Sequence, residues 1–104
     1  MEYVNSVVMT GTIAGDIKTG TAKDGKNYVF TSIAIHRREP SKVIDYFNVA
    51  AFGESAEALS LMKKGDPVSI RGYMEHNKYN AEGNVSKDVY RLVADSVTRV
   101  VTEE

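Results

Sequence analysis

The 104-residue chain has no cysteine, no tryptophan and only two prolines. Without cysteine there is no disulfide, no thiolate nucleophile and no cysteine-held zinc. Without tryptophan, every large flat ring must come from six Tyr and three Phe. No sign of charge dominates: 13 Lys and Arg stand against 14 Asp and Glu, for a formal net charge of -1. Overall charge therefore does not attract nucleic acid, and any such role must rest on local clustering. No apolar run approaches a membrane span. The opening MEYVNSVVMTG lacks the basic region and longer apolar stretch of a signal peptide. The expectation is a soluble, cytoplasmic protein. Repeats, low-complexity tracts and internal linkers are absent too. The length fits one domain, expected over residues 1–102, with 103–104 as a short end.

What is present is mostly strand pattern. Asn5 to Ala14 is rich in β-branched residues, with Gly11 in its middle, and predicts a strand with a bend or bulge. Residues 17–22 suit a ragged edge strand. Asp24-Gly25 signals a hairpin, and Asn27 to Ile35 reads as the strand leaving it. Ile44 to Phe52 is the next. In GESAEALSLMKKG, Ala56, Leu59 and Met62 recur at helical spacing, with Lys63 and Lys64 at the expected helix end and Gly65 after it. Pro67 to Glu75 alternates, with Val68, Ile70, Gly72 and Met74 on one face and Ser69, Arg71, Tyr73 and Glu75 on the other. Residues 77–87 read as a long polar hairpin tip, and Val89 to Val101 as a final strand. Setting the ragged edge aside, this is an all-β chain of five strands with one short helix between the third and fourth, the order of an OB-fold barrel.

The stretch IHRREPSKVIDYFNV, residues 35–49, puts basic residues and aromatics on either side of one loop. Period two gives its returning strand two faces. Phe47, Val49 and Ala51 suit a core. Tyr46 and Phe52 then point outward, and exposed aromatics at that spacing can stack on bases. Packing of Phe52 under the following helix is the competing reading. Arg37, Arg38 and Lys42 suit phosphate contact, against an ordinary solvated tip. Arg71 and Tyr73 share the non-core face of the fourth strand, where Tyr73 equally suits cross-strand packing. Lys78, Tyr79 and Lys87 repeat the basic-plus-aromatic pairing in the last hairpin. Lys18, Lys23 and Lys26 populate the loop between the first two strands, one of those with which OB folds hold oligonucleotides.

Other signals fail. GTAKDGKN spaces Gly and Lys like a phosphate loop, but Asn27 replaces the needed Ser or Thr and a strand follows instead of a helix. His36 and His76 lie far apart with no carboxylate cluster at metal spacing, and are read as surface histidines. Asn84-Val85-Ser86 matches a glycosylation acceptor with no sign of secretion. Asp16 and Asp95 suit strand-end turns. No Ser-His-acid or paired-carboxylate set stands out, so no enzyme, cofactor or small-molecule substrate is expected.

Three phrases resemble bacterial-type single-stranded DNA-binding proteins: NSVVMTGTIAGD, YFNVAAFGESAEAL and MKKGDPVSIRGYM. LVADSV also fits, and the similarity spans roughly residues 4–98. The resemblance implies sequence-tolerant wrapping of single-stranded DNA by an oligomer. Its contact positions carry over to Tyr46, Phe52, Tyr79 after Lys78, and the pair Arg37-Arg38. Glu39 stands where that family often has Trp, and Phe47 where it commonly has His. The chain stops at VVTEE, so partner recruitment through an acidic tail is not implied. That end suits a phage or mobile-element version, a primosomal relative or a shortened chain.

The expected function is single-stranded DNA binding in replication, recombination or repair, by a homo-oligomer, dimer or tetramer, with replication or recombination proteins as further partners. The alternative is an OB-fold interaction module with weak nucleic-acid binding.

Overall fold

The computed structural model describes residues 1–81 and 85–101, with the side chains of 79–81, 85 and 86 outside the description. It contains six strands and one helix: β1 (Val7–Ile13), β2 (Lys18–Thr21), β3 (Asn27–His36), β4 (Ile44–Phe52), α1 (Glu54–Ser60), β5 (Pro67–Ala81) and β6 (Val85–Arg99). The strands run β1-β5-β6-β4-β3-β2, and a second pairing of β1 with β3 closes five of them into a ring. β2 hangs outside the ring as the short edge of a hairpin with β3. This is the expected five-stranded barrel with one helix.

Inward positions follow the two-residue period. Ile13, Val29, Ile33, Val49, Val68, Ile70 and Leu92 are fully buried, and Leu59 of α1 closes one end. Each such side chain removes about 1.5–3 kcal/mol worth of apolar surface from water. Closure requires strands to change partner and bend. β1 pairs with β5 from Val7 to Thr12, and with β3 at Thr12 and Ile13, just after Gly11. Opposite the Arg71–Gly72 step, β6 carries one extra residue, Asp95, a bulge that bends it, and a Cβ on Gly72 would collide with the Val93 carbonyl.

Two expectations need correction. The helix stops at Ser60, without the basic last turn expected from Lys63 and Lys64. Met62 N–H already bonds back only three residues, to the Leu59 carbonyl (3.1 Å). The Asp66 carboxylate then accepts the Lys63 N–H at 2.8 Å, and Asp66 N–H donates to the Lys63 carbonyl at 3.0 Å. Gly65, at φ 94°, belongs to that turn and not to the helix cap. This tight turn competes with another helical turn and wins. Secondly, residues 77–81 and 85–87 are strand and not part of a long tip, with 82–84 outside the described residues. β5 and β6 stay in register to Ala81↔Val85. The pair therefore projects past its neighbours as an arm. β4 accompanies β6 only at Leu92–Ala94. On the far side of β5, β1 pairing ends at Gly72, and the Asn5 side chain then bonds both Met74 backbone groups.

Candidate nucleic-acid interface

Register builds one outer face from β2, β3, β4, β6 and β5. Phe30 of β3 lies opposite Ala50 of β4 on one side and Lys18 of β2 on the other. Ala50 neighbours Val93 of β6, which lies opposite Tyr73 of β5. Directly paired residues share a face, so Tyr73, Val93, Ala50, Phe30 and Lys18 form one line across five strands. Ala50 and Val93 are buried but stand outside the interior core cluster. They are the floor of this outer line.

Beside the line stand the aromatics. Tyr28 pairs with Phe52, and Tyr46 with Ala34, on the same face. The Phe30 ring is 5.0 Å from Tyr28 and meets Phe52 edge to face at 6.2 Å between centroids. Phe52 thus packs on the outer sheet face and remains 39% exposed; Tyr46 is 66% exposed. The guanidinium of Arg91 lies 5.7 Å from the Phe30 centroid and 6.0 Å from that of Phe52. Glu75, its cross-strand neighbour, holds it: Arg91 Nε donates to Oε1 at 2.8 Å, and Nη2 is 2.7 Å from the same oxygen. Asn77 Nδ2 donates to that oxygen as well, at 2.8 Å. The Asn77 hydrogen bond, then that of Arg91, lowers the Glu75 pKa from its ordinary value.

Two hollows open on this face. One, of ≈ 320 Å³, is lined by Lys18, Phe30, Ser32 and Asn48 among others. The second, of ≈ 250 Å³, lies between Phe30, Thr31, Asn48 and Val49 on one side and Val89 and Arg91 on the other. They share Phe30, Thr31 and Asn48, and so make one interrupted groove.

The anticipated residues fall into three groups. Tyr46, Phe52 and Tyr73 lie on the groove face. Lys87 joins them on the arm, since Lys87, Val89 and Arg91 alternate along one side of β6; Tyr79 pairs with Lys87 through its backbone, but its side chain lies outside the described residues. Arg38 and Lys42 are exposed in the loop between β3 and β4. Arg37, in the same loop, is already engaged: Nε donates to Asp45 Oδ2 at 2.9 Å and Nη2 to Oδ1 at 3.0 Å. That contact raises the Arg37 pKa and lowers that of Asp45. Two residues are not brought to the groove line. Arg71 sits between Val8 of β1 and Ser96 of β6. Lys78 lies opposite Asp88 on the other side of the arm, which also carries His76 stacked on Tyr90 (4.9 Å).

Sequence reasoning missed Tyr28, Phe30, Asn48 and Arg91. Alternation of Tyr28 and Phe30 with Val29, Thr31 and Ile33 carried a signal for the first two. Arg91 carried none, because its place depends on which strand lies beside it. Among the described residues, no helix is long and apolar enough to cross a membrane, and no cluster of His, Asp and Glu could hold a metal.

Comparison with curated proteins gives no match. The profile of the Single-strand binding protein family matches residues 4–100, nearly the whole chain. That match agrees with the barrel and with its aromatic outer face: the chain belongs to the single-strand binding protein family, non-enzymatic proteins that bind single-stranded DNA.

Proposed function

We propose that the protein coats single-stranded DNA with little base specificity during replication, recombination or repair in the cytoplasm, and does so along the groove of β2, β3, β4 and β6. The observation that carries this reading is the line from Tyr73 through Phe30 to Lys18, with Tyr46 and Phe52 beside it. Bases stack on Tyr46 and Phe52, each worth about 1–3 kcal/mol. Arg38, Lys42, Lys18 and Lys87 neutralise phosphates and release counterions. A net charge of -1 does not oppose this, because local charge at the groove matters more than the total.

Oligomerisation is typical of the family. From Val7 to Thr10, β1 has β5 as its one pairing strand among the described residues, and Val8 is 58% exposed. Pairing of two β1 edges about a two-fold axis would join grooves and raise affinity through effective concentration.

A second reading is an interaction module that binds DNA weakly. It is favoured by the commitment of Arg37 and Arg91 to carboxylates. Titration of the protein with oligo(dT), duplex DNA of equal length and single-stranded RNA separates the two. Strong, salt-sensitive oligo(dT) binding supports the groove; binding only at very high concentration with a shallow salt slope supports the module.

A further inference from the structure

β4 and β6 run in parallel at Val49↔Leu92, Ala50↔Val93 and Ala51↔Ala94, and then part. Beyond that point β6 follows β5 into the arm, whereas β4 turns back with β3. The ≈ 250 Å³ hollow lies in this fork. Its walls are chemically unlike. One is the β3–β4 surface, with the Phe30 ring and the Asn48 amide. The other is Val89 and Arg91 of β6.

Arg91 is the unusual member. An arginine intended for phosphate needs its charge and donors free. Here Nε and Nη2 are spent on Glu75, which Asn77 holds in turn. The Glu75 carboxylate stays ionised and offsets the guanidinium charge. What the pair leaves available is a flat guanidinium beside two phenyl rings, fixed in orientation and partly shielded from water (side-chain exposure 29% for Arg91 and 32% for Glu75). A planar guanidinium in that state stacks on a nucleobase as an aromatic ring does. Asn48, at the shared edge of both hollows, offers one amide donor pair and one acceptor to a base edge.

We infer that the fork between β4 and β6 is a nucleobase subsite, in which Arg91, held flat by Glu75, stacks on the base and does not act as a phosphate ligand. This rests on the single-stranded DNA reading, and refines what the centre of the groove recognises. The site binds the base face and is nearly blind to the backbone charge.

The test compares oligo(dT) with an abasic oligonucleotide of the same length and charge, by fluorescence anisotropy across salt, using the full chain. Arg91→Ala should weaken oligo(dT) binding roughly 5- to 150-fold, the range of one lost stacking contact, and leave abasic binding within about two-fold. The slope of log K against log salt should be unchanged. Arg91→Lys should fail to restore oligo(dT) binding, since an ammonium keeps the charge and loses the plane. Glu75→Gln should lower the preference for oligo(dT) over the abasic strand and steepen the slope by roughly 0.7, as Arg91 is released to a phosphate. Arg91→Met, which keeps an unbranched stem, serves if the alanine variant does not fold. The inference is overturned if Arg91→Ala weakens both probes equally with a shallower slope and lysine rescues it, or if no Arg91 variant changes binding. In either case wild-type preference for oligo(dT) over duplex leaves the groove itself standing. Loss of that preference in the wild type overturns both.

Discussion

Arg37 and Arg91 each grip a carboxylate, and their surroundings give the two pairs different work. Arg37 and Asp45 meet at the mouth of the β3–β4 loop, where the Arg37 side chain is 57% exposed. Arg91 and Glu75 meet beside Phe30 and Phe52, and are about half as open to water on the arginine side. In the loop, solvent screens the pair and little binds the guanidinium besides Asp45. On the sheet, the rings and the neighbouring strand fix the plane of the group. An ion pair at the loop therefore tempers a cationic site, whereas the same pair on the sheet makes a flat surface.

The largest effect that sharpens this contrast lies directly behind it. Leu92 is the inward neighbour of Arg91 and is fully buried. Leu92→Ala should cost about 2–5 kcal/mol of stability, read by urea denaturation. Substitution of Arg91 itself should cost far less, because its face is outward. Next comes the stacking surface. Tyr46→Ala should weaken oligo(dT) binding by about 1–3 kcal/mol with an unchanged salt slope, measured by anisotropy at several salt concentrations. A change in slope would mean that Tyr46 acts by positioning a cation.

Smaller effects separate the two pairs. Asp45→Asn frees Arg37, and should steepen the salt slope by roughly 0.7. Arg37→Ala should change it by much less, since the intact pair is close to neutral. Equal effects of the two substitutions would break the contrast. The smallest effect is on acid stability. Asp45, Asp66 and Glu75 all have pKa values lowered by folding: Asp45 by Arg37, Asp66 chiefly by the Lys63 N–H, and Glu75 chiefly by Asn77. The stability they confer is fully present above the unfolded carboxylate value of about 4, and is lost as pH falls through the lower folded values. Thermal unfolding should therefore show a Tm held steady by these groups from pH 7 to 5 and falling below pH 4. A decline already complete at pH 5 would contradict this.

Much of the barrel could be read from the chain because its strands alternate cleanly. Val68, Ile70 and Gly72 against Ser69, Arg71 and Tyr73 fixed both the strand and its inward face. The outward positions of Tyr46 and Phe52 followed from the same period. The arm was hidden for the opposite reason. Residues 77–81 and 85–87 extend past β1 and β4, so no core selects an apolar face there, and a polar strand resembles a polar loop. The helix end was hidden by Asp66, whose turn captures the Lys63 N–H and pre-empts two lysines that would suit a helical last turn. The centre of the groove was hidden by topology. Phe30, Asn48 and Arg91 come from three separate strands. Their meeting depends on the parallel β4–β6 pairing and the fork beyond it, which no local pattern encodes.

The most direct measurement is titration of the intact protein with oligo(dT) and with duplex DNA of equal length, each across a range of salt. The groove predicts strong preference for oligo(dT), a linear decline of log K with log salt, and affinity that survives in part at high salt because stacking does not screen. Equal binding of duplex and single strand, or affinity that vanishes entirely with salt, would contradict it.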